Sequence, residues 1–146
     1  MSLFLPLKRA TLLVPSVPAA NPDQKHLFIL LTDPQVIESD DRRVLMVSLS
    51  TVRAGVPHDP TCLLYPGDHA FVKRLSYVVY QKPRIEVAHA VLRGVKSGQL
   101  VPHDTMDTGI FARICKGLEE SRQTPPRFLR FYLIATGQLP HPGAGA

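Results

Sequence analysis

Lys25 and His26 stand side by side just before an apolar segment, and their side chains could act together on a phosphate group. A lysine ammonium stabilises negative charge, and histidine is the residue type that exchanges protons near neutral pH. Metal-free cleavage of RNA needs a base for the 2′-OH proton, an acid for the leaving 5′-oxygen, and a cation at the charged phosphorus centre. The structural alternative makes Lys25 a solvated loop cation and His26 the first residue of a strand.

Hydroxyl groups and a second histidine extend this candidate site. Ser50 and Thr51 end an apolar segment, where their hydroxyls could hydrogen-bond a phosphate or base edge, or simply belong to a turn. If the strand that begins at Lys25 pairs antiparallel with the strand that ends at Thr51, these groups meet. His69 follows the next turn and could reach the same rim, or be a surface histidine. The expected catalytic residues are therefore Lys25, His26, Ser50, Thr51 and His69.

Basic residues interleaved with tyrosines form a candidate RNA-binding surface. The segment Tyr77–Tyr80 is bracketed by Lys73, Arg74, Lys82 and Arg84. This pattern is typical of phosphate contacts combined with base stacking. The alternative is a solvated face with core aromatics, and strand alternation places at least one of the tyrosines in the core. Arg127 and Arg130, with aromatic neighbours, repeat the pattern and could instead receive an acidic protein.

Metal and nucleotide chemistry find little support in the sequence. A zinc site is suggested by three residues of ligand type, His58, Cys62 and His69, but their spacing matches no standard zinc pattern. The chain contains no Gly-rich phosphate loop and no CxxC, HExxH or GxSxG motif. We therefore expect no metal ligand and no cofactor.

Length and composition predict one compact basic domain. The 146 residues carry a formal charge of +5, which favours an acidic partner such as nucleic acid. Cys62 and Cys115 lie in apolar runs and are expected to be buried thiols, which indicates a reducing cytoplasm. Lys8 and Arg9 interrupt the first apolar run, so we expect neither a signal peptide nor a membrane association.

Apolar runs separated by turn residues predict a mainly β fold of the α+β class, a small barrel capped by one C-terminal helix. Met106, Ile110, Ile114 and Leu118 recur every four residues, so we predict a helix from an Asp104 cap to about Ser121. Pro83 should end its strand or place it at an edge. The expected domain spans residues 1–136 and the expected disordered tail residues 137–146, with an exposed loop at Pro15–Gln24. The predicted strands are His26–Thr32, Val44–Leu49, Thr61–Tyr65 and Leu75–Tyr80; Ile85–Leu92 is open between strand and helix.

The order of these segments resembles the MazF/PemK toxin family over roughly His26–Leu118. His26–Thr32 looks like the family's early strand, in which a basic residue precedes an apolar run ending in Ser or Thr. Val44–Ser50, followed by Thr51, resembles the next strand, whose hydroxyl residues face the active groove. Leu75–Ile85 resembles a short strand leading into a Gln- and basic-residue-containing stretch. Lys25 stands near the place of a family arginine.

The resemblance implies an SH3-like barrel with a C-terminal helix. It also implies the toxin of a bacterial type II toxin–antitoxin system, a metal-independent endoribonuclease acting on single-stranded mRNA. The implied partners are a cognate antitoxin and a second copy of the chain in a homodimer. Arg42–Val47 also looks like a segment of CcdB, a DNA gyrase poison of the same fold. A gyrase poison and a non-catalytic binding module therefore remain alternatives.

Overall fold

The computed structural model describes residues 3–15 and 25–142, and within them a curled antiparallel sheet forms a half-barrel with three helices. The mainly β, α+β class predicted from the sequence, with a C-terminal helix, is confirmed. In chain order the elements are β1 Thr11–Pro15, β2 Lys25–Leu30, β3 Gln35–Val36, β4 Arg42–Thr51, β5 Leu63–Leu64, β6 Ser76–Val87, α1 Ala88–Lys96, β7 Val101–His103, α2 Thr108–Glu120 and α3 Pro126–Ala135.

The long strands β4 and β6 form the centre of the sheet. The strand order is β5-β6-β4-β2-β1-β7, and β3 pairs with β4 outside this path. Met46 lies opposite Arg84 but Ser48 lies opposite Val79, so the ladder shifts register between them. Irregularities of this kind bend a strand and increase its twist. Pro83 falls in the shifted stretch, where β6 has no ladder pair, and β6 continues past it to Val87.

Both faces of the central strands are buried, which explains their nearly unbroken apolar sequence. Leu27, Ile29 and Val47 share one core with residues of α2 and α3. Phe28 and Met46 alternate with them and share a second core with α1. Because successive strand residues point to opposite faces, two helical layers are needed to cover this sheet.

Helix α2 begins later than the sequence indicated. Asp107, not Asp104, caps it by accepting hydrogen bonds from the backbone N–H groups of Gly109 and Ile110. Gly117 in this helix lies against Tyr80 of β6, and a Cβ atom at Gly117 would overlap the tyrosine hydroxyl. The glycine that weakens helix propensity is therefore required for packing.

Two further helices correct the expectation of one. Residues 85–92, open between strand and helix, divide between the end of β6 and α1. The basic and aromatic segment after Pro125 forms α3, with Pro126 in the first turn and Phe128 and Phe131 in the core. Residues 16–24 of the predicted exposed loop and residues 143–146 of the predicted tail lie outside the described residues. Just after α3, Gln138 and Leu139 donate backbone hydrogen bonds to the Leu133 carbonyl.

Candidate functional site

One end of the sheet holds a cavity of about 260 Å³, formed where β2 begins, β4 ends and the segment before β6 approaches. Strand pairing brings the first two together. Phe28 lies opposite Ser48, and the same antiparallel register continued toward the cavity places His26 opposite Ser50. The predicted residues Lys25, His26, Ser50, Thr51, Lys73 and Arg74 all line this cavity.

Four cations line this cavity, which we call the cationic cavity: Lys25, Arg53, Lys73 and Arg74. All four side chains are exposed, and no carboxylate is present among the described residues that line it. Elsewhere, cations such as Arg84 and Arg130 form ion pairs with glutamates, but within residues 3–15 and 25–142 these four form none. This concentration of positive charge favours an anionic ligand.

His26 is the imidazole of the cationic cavity. It is exposed and, in the part of the chain that the structure describes, its ring makes no side-chain hydrogen bond. The half-buried Ser50 and Thr51 contribute hydroxyls that are equally without hydrogen-bond partners among the described residues. These three groups can therefore bind a ligand without first breaking a hydrogen bond to any residue in the ranges 3–15 and 25–142.

His69 does not line the cationic cavity. Its side chain is 5% exposed. Its Nδ1 accepts the backbone N–H of Phe71 at 3.1 Å, so Nε2 carries the proton and donates to the Asp104 carbonyl at 2.6 Å. The ring also lies 5.0 Å from that of His103. With both nitrogens occupied, His69 connects the segment before β6 to the segment before α2.

Lys82 and Arg84 lie farther along β6 and also do not line this cavity. Arg84 forms an ion pair with Glu86 at 2.9 Å and stacks 5.3 Å above the ring of Phe28. Lys82 is exposed beside the register shift. The structure thus divides the predicted RNA-binding residues, with Lys73 and Arg74 at the cavity and the other two beyond it.

Arg53 is a cavity residue that the sequence reasoning missed. It lies two residues after Thr51, before the turn at Gly55, so the end of β4 carries it to the same rim. The feature of the sequence that could have identified Arg53 is its position two residues after the predicted hydroxyl pair, Ser50 and Thr51. A guanidinium can bind a phosphate through two parallel hydrogen bonds, which the nearby lysines cannot do.

The remaining titratable groups contribute to packing. Cys62 and Cys115 are buried and free, and burial raises the pKa of both thiols, that of Cys115 to about 11. Burial also opposes ionisation of Asp59, but hydrogen bonds from Ser121 and Thr61 outweigh it and lower the pKa of this carboxyl. Across residues 3–15 and 25–142, no three His, Cys, Asp or Glu side chains are grouped so that they could hold a metal.

Neither protein-family models nor curated proteins give a match to this chain. Among the described residues, no helix is both long and apolar enough to span a membrane. The geometry itself defines a site that can bind a phosphate through several cations, hydrogen-bond it through hydroxyls and exchange a proton through one imidazole.

Proposed function

We propose that the chain is a metal-independent endoribonuclease that cleaves single-stranded RNA in the cationic cavity. The observation that carries this proposal is the position of His26, an exposed imidazole among four cations, none of which has a side-chain partner within the described residues. Cations hold the phosphodiester, and a histidine next to it supplies the proton transfer that cleavage through the 2′-OH requires.

The proposed reaction uses the 2′-OH as its nucleophile. His26 takes the 2′-OH proton, the 2′-oxygen bonds to phosphorus, and the bond from phosphorus to the 5′-oxygen breaks. The leaving 5′-oxygen takes a proton from a lysine ammonium, Lys25 or Lys73, and the products are a 2′,3′-cyclic phosphate and a 5′-OH. Arg53 and Arg74 stabilise the charge that develops on the phosphoryl oxygens. DNA lacks the nucleophile, so the reaction is restricted to RNA.

In biological terms, we infer a toxin of the MazF/PemK type. The half-barrel with a C-terminal helix is compatible with that family's fold, and the cationic cavity lies where the segments resembling its early strands end and begin. An RNA substrate and two free thiols fit a bacterial cytoplasm. A cognate antitoxin and a homodimer belong to the same proposal.

A non-catalytic RNA-binding module is the second candidate. It is favoured by the position of His69, which is held against Asp104 and leaves the cavity with one imidazole among the described residues. Cations and hydroxyls suffice for binding, whereas cleavage needs both an acid and a base.

The test is incubation of purified protein with single-stranded RNA in the presence of a chelator, followed by primer extension. We expect discrete cuts that leave a 5′-OH, and we expect a single 2′-deoxy substitution before a cut to abolish it. Binding without cuts would select the second candidate. In expressing bacteria, intact mRNA accompanied by DNA breaks would instead indicate gyrase poisoning and contradict both.

A further inference from the structure

A second cavity of about 260 Å³ is connected to the cationic cavity through one cross-strand pair of residues. It is lined by residues of three separate segments, among them Tyr77, Val79 and Gln81 of β6. Tyr77 lies directly opposite Ser50, a residue of the cationic cavity, in the antiparallel ladder. Opposite residues in such a ladder have Cα atoms about 5 Å apart and side chains on the same face. A ligand extending across β4 toward β6 would therefore pass from one cavity into the other.

The wall of the second cavity includes an aromatic ring that is half-buried. Tyr77 is braced by His58, whose ring centroid lies 5.4 Å from that of the tyrosine at an interplanar angle of 41°. Bracing matters because a ring held in place loses less conformational freedom when a planar ligand stacks on it. Val79, next on the same face of β6, adds apolar surface.

Two side-chain amides complete the second cavity. Gln81 and Gln123 are exposed, and within the described chain neither amide group bonds to another protein group. Each amide offers a donor and an acceptor side by side, which is the pattern that the edges of nucleobases present.

Gln123 is positioned by a short chain of hydrogen bonds. Its backbone N–H donates to the Ser121 hydroxyl at 3.0 Å, and that hydroxyl donates to the buried Asp59 carboxylate at 2.6 Å. Thr61 donates to the other carboxylate oxygen through its backbone N–H and its hydroxyl. Both carboxylate oxygens of Asp59 therefore accept hydrogen bonds that hold the wall of the second cavity in place.

We propose that the second cavity is a nucleobase subsite. The base next to the phosphate in the cationic cavity stacks on Tyr77, and Gln81 and Gln123 read its edge. The inference rests on the proposed function in that it deepens the same site, from a phosphate-binding surface to one that selects a base. Stacking holds any base, and the amides discriminate between bases.

The experiment separates base binding from cleavage by using 2′-deoxy strands, which the proposed reaction cannot cut. Each short strand is abasic except for one central A, C, G or T, and binding is followed by fluorescence anisotropy. We expect the base-bearing strands to bind about tenfold more tightly than the fully abasic strand. Tyr77→Ala should remove this difference and Tyr77→Phe should retain it. Tyr65→Ala, at an exposed tyrosine that lines neither cavity, is the matched control.

Gln81→Ala and Gln123→Ala should narrow the spread of affinities among the four bases, and Gln99→Ala should leave it unchanged. Equal affinity of wild-type protein for abasic and base-bearing strands would overturn the subsite, as would an undiminished preference in Tyr77→Ala. Base-selective binding by a protein that never cuts RNA would retain the subsite and refute the ribonuclease. Cleavage of RNA without any base preference would retain the ribonuclease and refute the subsite.

Discussion

Polar side chains serve opposite purposes in the cationic cavity and in the interior beneath α2. In the cavity, His26, Ser50 and Thr51 are without side-chain partners among the described residues. In the interior, the polar groups of His69 and Tyr80 are engaged, with the Tyr80 hydroxyl donating to the Ile114 carbonyl at 2.6 Å.

The contrast follows from the cost of burial. A buried polar group without a partner destabilises the fold by about 1–3 kcal/mol, so interior groups are held by one another. Exposed groups at the end of a sheet are solvated and carry no such requirement. The two histidines show this difference within one residue type, because His26 is available to a ligand and His69 connects two segments of the chain.

The largest expected effect is on the rate of RNA cleavage and comes from replacing His26, the exposed histidine of the cationic cavity. His26→Gln should lower the single-turnover rate of RNA cleavage on the order of a thousandfold, because it removes the group that transfers the 2′-OH proton. Thermal unfolding should be unchanged, since the ring is exposed and makes no side-chain hydrogen bond among the described residues. His89→Gln, at an exposed histidine of α1 that does not line the cavity, serves as the control. A wild-type rate in His26→Gln would remove His26 from the mechanism.

A cation of the same cavity should have the next largest effect. Lys25→Ala should lower the cleavage rate on the order of a hundredfold, because one of the two lysines proposed to protonate the leaving 5′-oxygen is lost together with its positive charge beside the phosphate. Lys96→Ala, at an exposed lysine near the end of α1, should cleave like wild type. Both rates are measured in single turnover. An equal fall in both variants would mean that net charge rather than position matters, and a wild-type rate in Lys25→Ala would remove Lys25 from the mechanism.

The interior predicts losses of stability rather than of rate. Gly117→Ala should lower the free energy of unfolding by about 2.5 kcal/mol, because the added methyl overlaps the buried Tyr80 hydroxyl. Gly109→Ala in the same helix meets only the Asp107 carboxylate at 3.3 Å, and should cost far less. Urea titration of both variants checks the difference. Equal midpoints would show that Tyr80 can move aside.

Replacing the buried histidine tests the comparison directly. His69→Ala should lower the free energy of unfolding by about 2 kcal/mol, because the Phe71 N–H and the Asp104 carbonyl lose their partner. The cleavage rate per folded molecule should not change. A large fall in rate with normal stability would return His69 to the catalytic group and break the distinction between the two regions.

The smallest expected effect concerns acid stability. The lowered pKa of Asp59 in the folded protein means that its contribution is present above the ordinary value of 3.8 and is lost as the pH falls through the folded-state value. Asp59→Asn should therefore cost about 1 kcal/mol at neutral pH and progressively less in acid. Chemical denaturation across this range measures it. A cost independent of pH would mean that the hydrogen bonds, not the charge, carry the effect.

The sequence by itself determined the fold class and much of the cationic cavity. The apolar runs of β2 and β4 predict strands because they are buried on both faces. Antiparallel pairing then sets the beginning of one against the end of the other, so the proximity of Lys25 to Thr51 follows from local pattern and one pairing rule. The sequence places these residues at the cavity correctly because each of them lies at the end of a strand, and it stays there however the sheet curls.

Tertiary structure decided the features that depend on residues distant in sequence. The Asp104 carbonyl accepts both His69 and the Thr11 hydroxyl, across 35 and 93 residues of chain, and this segment becomes a junction instead of a helix cap. Arg53 reaches the cavity through the path of a turn, and Gly117 is explained only by Tyr80, packed against it from another element. No local pattern records such contacts, because the free energy that fixes them arises from atoms that meet only after the sheet has curled.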